Sequence, residues 1–416
     1  MEIAASRFRI HASGREAAIA AWVALVVAAF ALAAGINSAL SLRPGPNEYN
    51  LPAWEARNFA NKWLYEVGSL FDGRPDAAQQ DRDLGAFLGA VDSVDKLEQQ
   101  NTPESQAALK DAIKQRNDLE NEAEATIEGR ITEIAKEKGL TRKLGPLPAM
   151  VWPPVDLEFT SPPRSLVTSP RDRIELTGST LLPAGLDLDQ VDKIENTKQA
   201  KENVSARAVP IAGVGAYPTI VAYDSDYADM VRVAAHEWTH NYLAFRPLGQ
   251  HYYKNNDVRT INESVADLVG KEIADGVVAR WPAPPEPQQP AVHAPASQLA
   301  AASRPPIDLN AELVKLRGEV DALLAQGKID EAEKLMDDRR QYLAANGYYI
   351  RKINQAFFAF TNLYSGAAGS PGSVNPIGPK LDELRRRSGS LAHFLEVVGD
   401  VTSVADLDRA LAKAGG

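Results

Sequence analysis

Residues 227–245 read YADMVRVAAHEWTHNYLAF, and residues 261–267 read INESVAD. The first stretch has the three- and four-residue apolar spacing of a helix, and a second helix is expected over Val258–Ala279. Within the first lies His236-Glu237-Trp238-Thr239-His240, an H-E-x-x-H pattern. Residues four apart stand one helical turn above each other, so both imidazoles leave the same face and can share one tetrahedral metal ion. Taken singly, each histidine reads as a satisfied core residue; paired around a glutamate, they read as metal ligands. Glu237 is close enough to touch a water on that ion without being a ligand. A catalytic zinc requires a third protein ligand and one open position. In the second stretch Glu263 and Asp267 are also one turn apart. One carboxylate can reach the metal while the other accepts an N–H from a ligating histidine. Alone, Glu263 would pass for a surface acid and Asp267 for a salt-bridge partner along the helix.

Composition narrows the chemistry around this pair. The chain has 416 residues and no cysteine, which removes disulfides, thiolate metal sites and cysteine nucleophiles together. His, Asp and Glu are then the strong metal ligands, and two of only six histidines stand in the motif. His251 reads as a loop residue, His293 falls in a proline-rich stretch, and His11 precedes an apolar run. With 45 basic against 55 acidic residues, the net charge of −10 argues against nucleic acid as a partner. This length predicts two or three folded units.

Working toward the N-terminus, residues 145–223 are rich in proline and carry short β-type runs at Val155–Thr160, Ser165–Thr168, Ile174–Leu176 and Ala216–Tyr223. Residues 51–138 read as helices, with Leu84, Phe87, Leu88, Val91, Val94 and Leu97 on one and Leu109, Ile113, Leu119, Ala123, Ile127, Ile131 and Ile134 on the next. Thr102-Pro103-Glu104 supplies an N-cap with proline in the first turn. Residues 43–144 are thus expected to form an antiparallel helical hairpin, a stalk standing on a membrane. That membrane is expected because residues 17–42 carry no charge and span the roughly 20 residues needed for a transmembrane helix. The expected placement is single-pass, with residues 1–16 cytoplasmic, residues 17–42 in the lipid bilayer and the remainder extracytoplasmic.

Toward the C-terminus, Trp281–Pro306 holds eight prolines among alanine and glutamine, the composition of a linker or surface insertion. Helices are expected again from Leu309 to Leu323, with Gly327 as a stop, then over Ile329–Ala345 and Tyr348–Tyr364. A Gly/Pro-rich loop, Gly366–Pro379, leads to short terminal helices. The fold class expected is α+β and mostly helical.

H-E-x-x-H followed by N-E-x-x-x-D resembles the gluzincin group of zinc metallopeptidases, to which thermolysin-like proteases belong. The resemblance covers roughly residues 215–275. It implies a zincin-like catalytic unit with a small sheet over residues 145–280, and a helical C-terminal subdomain over 307–416. It also implies Zn2+ held by His236, His240 and Glu263, with Glu237 as general base. Asp267 would orient His236, and Asn262 would support the ligands from behind. Ala216–Tyr223 looks like the strand that aligns substrate at the sheet edge, where Pro218 is tolerated. Gluzincins often supply a tyrosine or histidine to the oxyanion. Tyr364 is the favoured residue here, with Tyr252, Tyr253, Tyr348, Tyr349 and His393 as alternatives. No G-x-M-E-N stretch is present, since Gly213-Val214-Gly215-Ala216-Tyr217 lacks the acid, which leans toward endopeptidase action.

The function expected is therefore a membrane-anchored, zinc-dependent peptidase that hydrolyses peptide bonds of a peptide or protein substrate with a metal-activated water. The alternative is a non-enzymatic membrane-anchored scaffold, with zinc stapling the fold and the hairpin binding a partner. The absence of cysteines to close a structural site, and Glu237 beside the histidines, favour catalysis.

Overall fold

The computed structural model describes residues 45, 47–58, 75–100, 102–143, 148–284, 307–363 and 375–414. The chain is α+β and mostly helical. Residues 51–58 are helical, and after them come α1 (Ala77–Gln100) and α2 (Pro103–Glu137). Short strands follow: β1 (Thr141–Arg142), β2 (Met150–Val151), β3 (Leu157–Phe159), β4 (Arg164–Pro170) and β5 (Gly178–Leu182). Next are α3 (Leu188–Glu202), β6 (Val204–Pro210), β7 (Gly213–Val214) and β8 (Thr219–Val221), then α4 (Tyr227–Leu243), α5 (Pro247–Gln250) and α6 (Asn256–Arg280). Six more helices complete the described chain: α7 (Leu309–Leu324), α8 (Ile329–Ala345), α9 (Gln355–Thr361), α10 (Ile377–Arg387), α11 (Leu391–Val398) and α12 (Val404–Lys413).

The helical hairpin forms as expected. Thr102 caps α2 by accepting the Ser105 N–H while the Ser105 hydroxyl accepts the Thr102 N–H. Arg130, near the end of α2, meets Asp81 near the start of α1, as an antiparallel pair requires. The hairpin is not a free-standing stalk, however. Leu84, Phe87, Val91, Ile127, Ile131 and Ile134 are buried in the same core as α4, α6 and the terminal helices. Phe87 stacks on Phe159 of β3 with ring centroids 5.1 Å apart. Glu128 and Glu124 of α2 accept the N–H groups of Leu157 (2.9 Å) and Phe159 (2.7 Å), closing the outer edge of β3.

The membrane placement is corrected. Among the described residues no helix is long and apolar enough to cross a membrane. The longest, α2, has the length at 35 residues, but charged side chains recur along it, as suits an amphipathic core helix. Residues 1–16 and 17–42 lie outside the described residues, and so do residues 285–306 of the expected linker.

Among the described residues two three-stranded sheets, and a two-stranded one of β1 and β2, replace the single one expected. In the first, β8 lies between β3, parallel to it, and β7, antiparallel to it. In the second, β4 lies between β5 and β6, both antiparallel. The Ala216–Tyr223 run is thus the central strand β8, and Gly213–Val214 takes the edge. Pro218 precedes the ladder, where its missing N–H costs nothing. The second sheet packs with α3 and α9, and a further core joins α7, α8 and α9. Tyr348–Tyr364 is not one helix: Asn354 accepts the Phe357 N–H and starts α9 at Gln355. Gly327, at φ 72°, ends the turn after α7 as expected.

Candidate metal centre

The centre is built where α4 and α6 cross. Asp226 and Asn255 cap these helices by accepting the N–H groups of Asp229 and Val258. Their backbones approach closely at Gly270, where an added Cβ would lie 2.9 Å from His236 N and 3.0 Å from His236 Cα. Only glycine permits that crossing, and it brings the Glu263–Asp267 turn of α6 over the His236–His240 turn of α4. Trp238, on the far side of α4, is buried and donates its indole N–H to Pro153 O at 3.0 Å, which fixes the rotation of the helix.

Three side chains then meet, and each has one polar atom tied to a neighbour and another aimed inward. His236 Nδ1 lies 2.9 Å from Asp267 Oδ1. His240 Nδ1 lies 2.7 Å from Asn262 Oδ1. Glu263 Oε1 accepts the hydroxyl of Tyr252. Both outer histidine atoms face oxygens that accept, so the Nδ1 atoms donate and the Nε2 atoms are left with lone pairs. The inward atoms are the two Nε2, 3.1 Å apart, and Glu263 Oε2, 3.5 Å from each. A tetrahedral ion with ligand bonds of about 2.0–2.1 Å sets its ligand atoms roughly 3.3 Å from one another. The triangle has that size, and its two nitrogens and one oxygen suit zinc.

Electrostatics points the same way. Glu237, Glu263 and Asp267 are set against two imidazoles, an excess of negative charge in a largely buried place that a divalent cation would neutralise. Asp267 Oδ2 is buried with no hydrogen-bond partner. Without an ion, burial disfavours a charged His236, yet its hydrogen bonds to Asp267 and Glu263 overcome this and raise its pKa to about 10, so a cation bound at Nε2 would displace a proton from it. Burial likewise opposes charge on Glu263, but the two histidines outweigh it and hold the carboxyl well below its ordinary value. Glu237 is different: burial dominates, and its pKa is raised. A carboxyl in that condition takes up a proton readily, which is what a general base requires.

The edge strand explains a pair of glycines whose role local pattern leaves open. A Cβ on Gly213 would lie 2.6 Å from Glu237 Cγ, and one on Gly215 would lie 2.7 Å from His240 Cβ. Side chains at either position would push the motif residues out of place. Glycine inside a strand pattern is itself a signal of close backbone approach, and that signal is present in the sequence. Asn241 fixes the same loop by donating to Ala216 O at 2.8 Å and Thr219 Oγ1 at 3.0 Å.

Among the described tyrosines and histidine considered for the oxyanion, Tyr252 is the one whose hydroxyl reaches a member of the triangle, and its ring stands edge-on to His240. Tyr253 and Tyr349 are exposed, Tyr348 donates to Ile307 O, and His393 faces Glu396 at the surface. Tyr364 lies outside the described residues. His251 donates to Pro247 O in the loop after α5, away from the triangle. No protein-family model, curated protein or solved structure matches this chain.

Proposed function

We propose that this protein is a zinc-dependent peptidase of the gluzincin type. The observation that carries the reading is the convergence of His236 Nε2, His240 Nε2 and Glu263 Oε2 at 3.1–3.5 Å, with every outward atom already engaged. His236, His240 and Glu263 would hold the ion, oriented by Asp267, Asn262 and Tyr252. Zinc at such a site supplies a Lewis acid that polarises a carbonyl and acidifies water. Glu237, partly buried against Gly213, takes the proton from the attacking water and returns it to the leaving amine. Its raised pKa suits both halves of that transfer. The scissile peptide would lie along β7, an edge strand whose Gly213 borders Glu237.

The test compares the full chain with Glu237→Gln, both loaded with zinc, on a mixture of quenched fluorogenic peptides. Hydrolysis is expected in the parent and to fall about 10²–10⁴-fold in the variant, while metal content stays at one ion per chain. Equal hydrolysis by the two proteins, or no bound metal in the parent, would overturn the reading.

A further inference from the structure

Arginines across this fold are paired with acids: Arg130 with Asp81, Arg171 with Glu333, Arg351 with Glu195, and Arg385 with Glu272. Arg259 is among the exceptions, with Arg164 and Arg207, for among the described residues it forms no ion pair with a carboxylate. It stands on α6 one turn before the ligand residue Glu263, on the same face of the helix. Its guanidinium carbon lies 5.1 Å from the ring centroid of Tyr252 and 5.4 Å from that of Tyr253. The two rings are set edge to face at 4.9 Å. Its Nε is buried and has no hydrogen-bond partner.

These facts combine in one direction. Two aromatic faces hold the guanidinium in a fixed attitude without using its N–H donors. Tyr252 links that cation directly to the metal triangle through Glu263. Tyr253 is 84% exposed, so the aromatic pair opens to solvent. A buried donor left unpaired is costly, and a ligand that brings an acceptor recovers that cost. The best match to a planar fork of donors is a carboxylate, taken by two parallel hydrogen bonds.

Resting on the peptidase reading above, we propose that Arg259 is the specificity-determining residue of the site. It selects peptides that present a carboxylate beside the scissile bond, either a free C-terminus or an Asp or Glu side chain. The Tyr252–Tyr253 pair orients it. Both sources share the chemistry, and they differ in consequence, since selection of a free C-terminus makes the enzyme a carboxypeptidase.

The test measures binding, so that it does not depend on turnover. Zinc-loaded Glu237→Gln protein is titrated by fluorescence anisotropy with three pools of labelled hexapeptides. One pool has a free C-terminal carboxylate and no Asp or Glu. The second is its C-terminal carboxamide. The third is the carboxamide with one internal Asp. At least one carboxylate-bearing pool is expected to bind about 10- to 100-fold more tightly than the neutral carboxamide pool. That preference should vanish with Arg259→Ala, and Arg259→Lys, which keeps the charge but loses the fork, should restore only part of it. Preference for the first pool identifies the C-terminus, and preference for the third identifies an acidic side chain. Equal binding of all pools, no binding of any, or a preference unchanged in both Arg259 variants would overturn the proposal. If Arg259→Ala fails to fold, Arg259→Lys decides alone. Should the parent cleave nothing yet bind carboxylates through Arg259, the peptidase reading falls, and with it the specificity role, while recognition of carboxylates by Arg259 stands. Cleavage without carboxylate preference would instead sink the role of Arg259 and leave the peptidase intact.

Discussion

Among the described residues, two groups of three side chains bring ligand atoms within 4.8 Å of one another: His236, His240 and Glu263, and also Glu120, Glu124 and Glu158. The second group looks as suited to a cation as the first until its hydrogen bonds are followed. Glu124 accepts the Phe159 N–H, Glu120 accepts the Tyr223 hydroxyl at 3.0 Å, and Arg116 lies over the Tyr223 ring at 3.8 Å. These carboxylates serve the edge of β3 and its aromatic neighbours. In the first group the neighbours hold only the outer atoms, so the inner ones remain available to a ligand. Proximity of acids is therefore a poor guide to a metal centre; the direction in which their remaining lone pairs point is a better one.

The contrast yields measurements, beginning with the largest effect. His240→Ala should lose stoichiometric zinc binding, followed by competition with a chromogenic chelator, while Glu120→Gln with Glu124→Gln should keep one zinc per chain. Zinc retained by the first variant, or lost in the second, would erase the distinction. Asp267→Ala strips the partner from His236 Nδ1 without touching an inward atom. Its zinc affinity should fall by about 10- to 100-fold in the same assay. Glu124→Ala tests the structural role of the other group: it leaves the Phe159 N–H buried and unpaired, at a cost of about 1–3 kcal/mol in urea denaturation. A variant as stable as the parent would remove the reason given for those acids.

The smallest effect concerns acid, at a third carboxylate remote from both groups. Burial opposes the charge of Glu195, but Arg351, Lys352 and the Ala208 N–H overcome it and hold its pKa below the ordinary 4.5. Its stabilising contribution is complete above that unfolded value and fades as pH falls through the lower folded value. Unfolding curves between pH 5 and about 2 should therefore be steeper in pH for the parent than for Glu195→Gln. Matching slopes would contradict the depressed pKa.

Much of the centre was legible because helix periodicity fixes which residues share a face. His236 with His240, and Glu263 with Asp267, follow from four-residue spacing alone, and α6 and α8 lie where the apolar pattern sets them. What escaped is what comes from tertiary contact. Helix α3 is largely polar, and β6 (VSARAVP) alternates weakly, so the second sheet could not be drawn from local pattern. The hairpin's apolar stripe was plain in the sequence, but nothing local could say that β3 and α4 cover it. Tyr252 sits in a loop with no periodicity, and only the return of the chain over α6 brings its hydroxyl to Glu263. Gly213 and Gly215 were readable as sites of close approach, though their partners were not.

One core joins Leu84 of the hairpin, the crossing of α4 and α6, and Leu407 of the last helix. During synthesis the chain emerges from its N-terminal end, so the hairpin waits while more than half of the polypeptide is made. The two motif helices, once out, still lack the cover that α10, α11 and α12 provide. The crossing that carries His236, His240 and Glu263 thus gains its full core only after α10, α11 and α12 have been made.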